Sequence, residues 1–185
     1  MPETKNDIEL VKASLEDRQA FLHIMERYEG KLLAYIRRIS GLNKEDAEDV
    51  LQEVFLKTYT NLNAFNQKLK FSSWIYRIAR NETISEARKR KARPVYYFED
   101  KDLVRIADGL EVDVDLIKSE DAEDVRNVIE SLDKKYREVL VLKFLEEKDY
   151  NEISDILKKP VGTVGTLINR AKKKFKEKFL TSSRA

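Results

Sequence analysis

The sequence predicts an all-α chain in which two small helical domains are joined by an acidic linker, and three observations carry that prediction. Only five glycines and three prolines punctuate 185 residues, 38% of them charged, a composition suited to helices rather than sheets. Apolar residues recur at intervals of three and four through most of the chain, the period of helices that bury one stripe. Charge is segregated although the total is only +2. Residues 1–93 carry 18 basic and 14 acidic side chains, 94–124 carry 3 and 11, and 125–185 carry 15 and 9. Two basic bodies therefore flank an acidic connector. The expected divisions are 1–93, a linker over 94–121, and a four-helix domain over 122–185 that contains a helix-turn-helix.

A short helix is expected from Asp7 to about Ser14, then a long one from Leu15 to Ile39 that buries Phe21, Met25, Tyr28, Leu32, Tyr35, Ile36 and Ile39. Gly41 ends it, and Asn43 caps the next helix, with Glu45 and Asp46 in its first turn where the helix dipole favours negative charge. That helix buries Val50, Leu51, Val54, Phe55, Tyr59 and Leu62. It turns Asp46, Asp49, Gln52, Glu53 and Leu56 outward. An acidic face with a leucine in it has the character of an interface, although a solvated face has the same composition.

The stretch Phe71 to Arg93 concentrates aromatic, amide and guanidinium groups on one expected helix with Ser72 as its N-cap. At about 100° per residue, Trp74, Ile75 and Ile78 share one side, and Arg77, Arg80, Asn81, Ile84 and Arg88 the other. Five of the six residues Arg88 to Arg93 are basic, and Pro94 closes the helix. Cations interleaved with aromatic rings suit single-stranded nucleic acid.

From Pro94 the apolar residues scatter among Asp and Glu, which reads as linker, with Tyr96, Tyr97 and Phe98 available to dock. Order returns near Glu120. Val125, Val128, Ile129 and Leu132 mark one helix; Asp133 caps a second with Tyr136, Val139, Leu140 and Phe144; Tyr150, Ile153 and Leu157 mark a third. Pro160 opens a fourth, with a stripe of Val161, Val164, Ile168, Ala171 and Phe175. Opposite that stripe stand Thr166, Asn169, Arg170 and Lys173. Hydroxyl, amide and cationic groups on the second helix of a tight αα pair are what a major-groove reader needs.

The inventory excludes much. There is no cysteine, and His23 is the single histidine, so thiolate zinc sites, disulfides and histidine-based nucleophilic triads lack their parts. No enzymatic activity, cofactor, metal or small-molecule substrate is expected. No stretch has the apolar length of a membrane span and the N-terminus is polar, which points to a cytoplasmic protein.

Three motifs occur in order: DAEDVLQEVFLKTY; FSSWIYRIARNE with its basic tail; and LDKKYREVLVLKFLEEKDYNEISDIL, followed by PVGTV and NRAKKK. Together they resemble the extracytoplasmic-function group of bacterial sigma-70 RNA polymerase sigma factors, over Leu15–Arg93 and Val125–Phe179. The resemblance implies a transcription initiation factor that binds core RNA polymerase and promoter DNA, with an anti-sigma factor as a further partner. It implies a polymerase contact on Asp49, Gln52 and Glu53, to which the exposed Leu56 belongs. A minus-ten reader would use the loop Phe65–Phe71 and Asn81, with Lys68, Lys70, Phe71, Tyr76, Arg77, Arg80 and Arg88 around them. The minus-thirty-five reader would use Thr163, Thr166, Asn169, Arg170 and Lys173, and the acidic linker would run through polymerase toward the RNA exit path. Two departures stand out. Lys158 and Lys159 replace the glycine and apolar residue common in the turn, and Gly165 and Leu167 stand where basic residues are common. Against this reading stand a stand-alone helix-turn-helix regulator of duplex DNA and, more distantly, a protein-interaction adaptor.

Overall fold

The computed structural model describes residues 6–90, 95–111 and 119–182, and among these it contains nine α-helices and no strand. The chain divides into two compact units, Met1–Val95 and Tyr96–Ala185.

The first unit holds α1 (Asp7–Glu16), α2 (Phe21–Ser40), α3 (Lys44–Thr60) and α4 (Phe71–Lys89). Asn6 caps α1 in a reciprocal capping box with Glu9, and Asp7 then accepts from Tyr28 Oη at 2.6 Å and Arg27 at 2.8 Å, tying α1 to α2. The long helix begins at Phe21 rather than Leu15, because Asp17 caps a separate 3₁₀ turn by accepting from the Gln19 amide. Gly41 ends α2 at φ 69°, a left-handed cap that glycine adopts without strain, and the Asn43 side chain accepts from the Asp46 amide to start α3.

The opening of α4 differs from expectation. The helix starts at Phe71 with Lys70 in the cap position and no side-chain cap, which leaves Ser72 inside the first turn. Aromatic packing fixes this start: Phe71 is buried, its ring 5.4 Å from Phe65 and 5.7 Å from both Tyr28 and Trp74.

The second unit holds α5 (Asp100–Gly109), α6 (Ser119–Ser131), α7 (Lys134–Leu140), a π-helical turn over Val141–Leu145, α8 (Tyr150–Leu157) and α9 (Val161–Ser182). Four of these are the helices expected over 122–185, and among the described residues the unit has a fifth. The fifth is α5, which lies within the stretch read as linker. Leu103, Ile106, Ala107 and Leu110 have helical spacing and are all buried, as are Tyr96 and Phe98 before them. Each large apolar side chain so buried contributes about 1.5–3 kcal/mol, enough to hold a short acidic helix against α6 and the π turn. Asp102 is buried as well, its carboxylate accepting from the Glu99 amide at 3.0 Å in a capping box. Tyr96 docks on α7: the Arg137 guanidinium lies 3.6 Å from its ring centroid and donates to the Glu130 and Leu132 carbonyls at the end of α6. Burial pushes the Arg137 pKa down from its usual value. Residues 94 and 112–118 of the linker reading lie outside the described residues.

Candidate nucleic-acid interface

Three exposed polar faces stand on these scaffolds. The first belongs to α3, where Val50, Leu51, Val54 and Phe55 bury one stripe and leave Asp49, Gln52, Glu53 and Leu56 outside, Leu56 at 56% exposure. Four predicted contact residues thus share one open face. Lys57 lies beside it, 3.9 Å from Glu53 and 2.7 Å from Glu82 of α4. The bond to Glu82 is the chief cause that raises the Lys57 pKa above its usual value. Asp46, at the N-terminal end of the same face, is engaged by Arg90, which also binds Glu86 at 3.1 Å.

The second face belongs to α4 and the loop before it. Lys68, Lys70, Asn81 and Arg88 are exposed, and Arg77 and Arg80 half-buried. Two other predicted readers sit elsewhere. Phe71 and Tyr76 are each only 1% exposed, Phe71 in the ring cluster already described and Tyr76 with its ring 5.0 Å from that of Tyr35. They hold α4 against the body instead of presenting rings to solvent. Trp74, expected in the core, is half-buried beside Phe65, their centroids 5.1 Å apart. Of the basic tail, Lys91 to Arg93 lie outside the described residues.

The third face belongs to α8, the turn and α9. Asp149 opens α8 with a capping box to Glu152, and Lys158 closes it in the left-handed region at φ 54°, ψ 46°. The lysine thus adopts the conformation that glycine would supply. Val164, Ile168, Ala171 and Phe175 form the buried stripe of α9, while Val161, expected among them, is 41% exposed. Thr163, Thr166, Asn169, Arg170 and Lys173 are all exposed on the outer side. The Thr166 hydroxyl donates to the Gly162 carbonyl at 2.9 Å, which leaves its oxygen as an acceptor toward solvent. A Cβ at Gly165 would meet the Tyr150 ring at 3.5 Å, an ordinary contact, so space does not demand glycine there.

Family models match the two bodies separately: Sigma-70 region 2 over residues 24–93 and Sigma-70 region 4 over 122–175. The ECF RNA polymerase sigma factor SigW of Bacillus subtilis is 36% identical over 173 residues, covering 88% of this chain and 90% of that protein. This chain belongs to the extracytoplasmic-function group of the sigma-70 family. The ECF RNA polymerase sigma-E factor of Haemophilus influenzae is a further relative, 30% identical over 171 residues, covering 88% of this chain and 89% of its own length. CnrH, solved in complex with the cytosolic domain of CnrY, matches 97% of this sigma factor and 99% of its own chain at a TM-score of 0.68 and 25% identity. The sigma factor RpoE of Bartonella quintana, solved with the anti-sigma factor NepR, shares the fold at a TM-score of 0.61 and 20% identity, over 85% of this chain and 95% of its own.

The sequence did not give the ionic ties that link α3 to α4. Arg90 and Asp46 are 44 residues apart, and Lys57 and Glu82 are 25 apart, separations at which no local pattern pairs charges. Trp74 is the one tryptophan, and its ring beside Phe65 is where the loop before α4 meets that helix.

Proposed function

We propose that this sigma factor binds core RNA polymerase through the outer face of α3 and directs it to specific promoters. In this reading α4 and its preceding loop take the minus-ten element as a melted single strand, and α9 reads the minus-thirty-five element as duplex. The observation that carries it is the pairing of an open acidic face (Asp49, Gln52, Glu53, with Leu56) and a cationic amide-bearing face (Arg77, Arg80, Asn81, Arg88) on adjacent helices of one body. An acidic face attracts a basic protein partner, and a cationic face attracts a nucleic-acid backbone. Asn81 is the side chain there that carries both an amide donor and a carbonyl acceptor, and so can read a base edge. On α9, Thr163, Thr166 and Asn169 supply the base-reading groups, and Arg170 and Lys173 supply attraction to phosphate.

In the same reading the chain acts as a transcription initiation factor in the cytoplasm, supported by its relatives named RNA polymerase sigma factors. Among the described residues no helix is long and apolar enough to cross a membrane, and no cluster of His, Cys, Asp and Glu could hold a metal ion. An anti-sigma factor is a fitting further partner, since an exposed Leu56 within an acidic face offers a second protein the same ground that polymerase would use.

One experiment separates this reading from a stand-alone regulator. Purified chain is mixed with core polymerase and with promoter duplex, separately and together. The expected outcome is tight capture of core polymerase, weak binding of duplex by the chain alone, and promoter-specific transcription by the complex. A chain that shifts duplex DNA unaided and ignores core polymerase is a regulator instead.

A further inference from the structure

The family models leave residues 94–121 unmatched, yet this interval contains α5, whose apolar side is fully buried in the second unit. Its C-terminal end makes an unusually close approach. A Cβ at Gly109 would lie 2.9 Å from Cγ of Phe144 and nearer still to the edge of that ring, so the ring occupies the space a side chain would need. Phe144 belongs to the π turn that leads toward α8. The ring also meets α9, where the Lys172 ammonium lies 5.7 Å from its centroid, within cation–π range. Arg105 of α5 adds an ion pair of 2.9 Å to Glu147, just past the same turn. A chain of contacts therefore runs from connector helix to reading helix: Gly109, Phe144, Lys172.

The position of Lys172 gives that chain a use. At 100° per residue it falls about 60° from Asn169, on the margin of the face formed by Thr163, Thr166, Asn169, Arg170 and Lys173. A cation at the margin of a groove-reading helix is placed for a phosphate rather than a base edge. An ammonium on a free lysine stem samples many rotamers, and a ring beneath it narrows that choice before DNA arrives.

Resting on the proposed reading of α9 as the duplex reader, we propose that Phe144 is a positioning residue that holds Lys172 for a DNA phosphate. Gly109 of α5 sets the place of that ring, so seating of the connector helix and duplex affinity are coupled. The coupling is reciprocal: DNA on α9 strengthens the seat of α5, and withdrawal of α5 weakens the hold on DNA.

The test uses the full chain with core polymerase and a duplex enriched from a random library by the unaltered complex. Lys172→Ala, Phe144→Leu and Gly109→Ala are each compared with the parent for affinity and salt dependence. Lys172→Ala is expected to weaken binding roughly fivefold or more and to lower the log–log salt slope by about 0.9, the loss of one phosphate, while Phe144→Leu and Gly109→Ala, which keep the ammonium, are expected to weaken binding and to lower the slope by a smaller amount. Paired with Lys172→Ala, neither Phe144→Leu nor Gly109→Ala should lower the slope further, since all three act at one contact. Amide exchange over α5 and the π turn accompanies each measurement. Phe144→Leu adds no atoms beside Gly109 and is expected to leave α5 protected, which keeps the test valid should Gly109→Ala loosen the fold. Parental affinity and slope in Phe144→Leu, or losses that add to that of Lys172→Ala, overturn the proposal. Arg170→Ala serves as the arm for the underlying reading: if it too leaves duplex binding untouched, or if no duplex can be enriched, it is the assignment of α9 that fails.

Discussion

Lys158 closes α8 with φ 54° and ψ 46°, a conformation in which the Cβ of an L residue crowds the following carbonyl. The geometry of the turn is kept while its usual residue is not. Lys158→Gly should therefore stabilise the protein by about 1 kcal/mol, read as a higher urea midpoint at unchanged m value. A lower midpoint would mean that the lysine stem makes compensating contacts. Asn81 poses a different question at the same scale. It is exposed on α4, one residue from Arg80 and four from Arg77, so an unpaired base drawn in by the cations would meet an amide. Asn81→Ala is expected to erase base preference at one non-template position, worth about 1–3 kcal/mol, while assembly with polymerase stays intact. The comparison is open-complex formation on a duplex promoter and on pre-melted templates carrying each base in turn. Retained preference on every template would place the pocket elsewhere.

Elements were legible where a stripe ran for three turns or more. The sequence located α3, its Asn43 cap, α9 and the helix pair before it because apolar spacing, caps and breakers agreed there. Phe71 and Tyr76 were misplaced for a physical reason: stacking on a base and packing in a core ask for the same rings, and Tyr28, Tyr35 and Phe65, distant in sequence, decide between them. The helix α5 escaped because it is only ten residues long and rich in Asp. The signal was present in Leu103, Ile106, Ala107 and Leu110, spaced by three, one and three, but composition outweighed it. At this scale the outer face of α3 also makes a prediction. Reversing charge at Asp49 and Glu53 together should cost core-polymerase affinity tenfold or more, on the order of 1.4 kcal/mol, with helicity unchanged, because neither side chain supports the buried stripe. Titration with labelled core polymerase, alongside circular dichroism, decides it; equal affinity removes the α3 assignment.

For the whole molecule, segregation of charge along the chain gave a sound outline of two bodies and an acidic interval, but composition could not say how much of that interval belongs to a core. Tyr96, Phe98 and the α5 segment bury five large apolar side chains within the second unit, the other three being Leu103, Ile106 and Leu110. A fragment spanning 96–185 should accordingly fold cooperatively. One beginning at residue 122 should be less stable by more than about 3 kcal/mol, since those contacts are removed and their partners on α6, α7 and the π turn are exposed. Chemical denaturation of the two fragments checks this. Equal midpoints would mean that α5 merely rests on a body complete without it.

Lys57 is shared. Its single ammonium serves Glu82 at 2.7 Å and Glu53 at 3.9 Å, one carboxylate next in sequence to Asn81 and the other on the outer face of α3. A cation arriving from polymerase to take Glu53 displaces the weaker of these two claims and leaves Lys57 wholly to Glu82. In the proposed reading, docking would then tighten the brace between α3 and α4 beside the face assigned to the promoter strand. Lys57 would be the ionic hinge by which assembly with the enzyme stiffens the surface that opens the DNA.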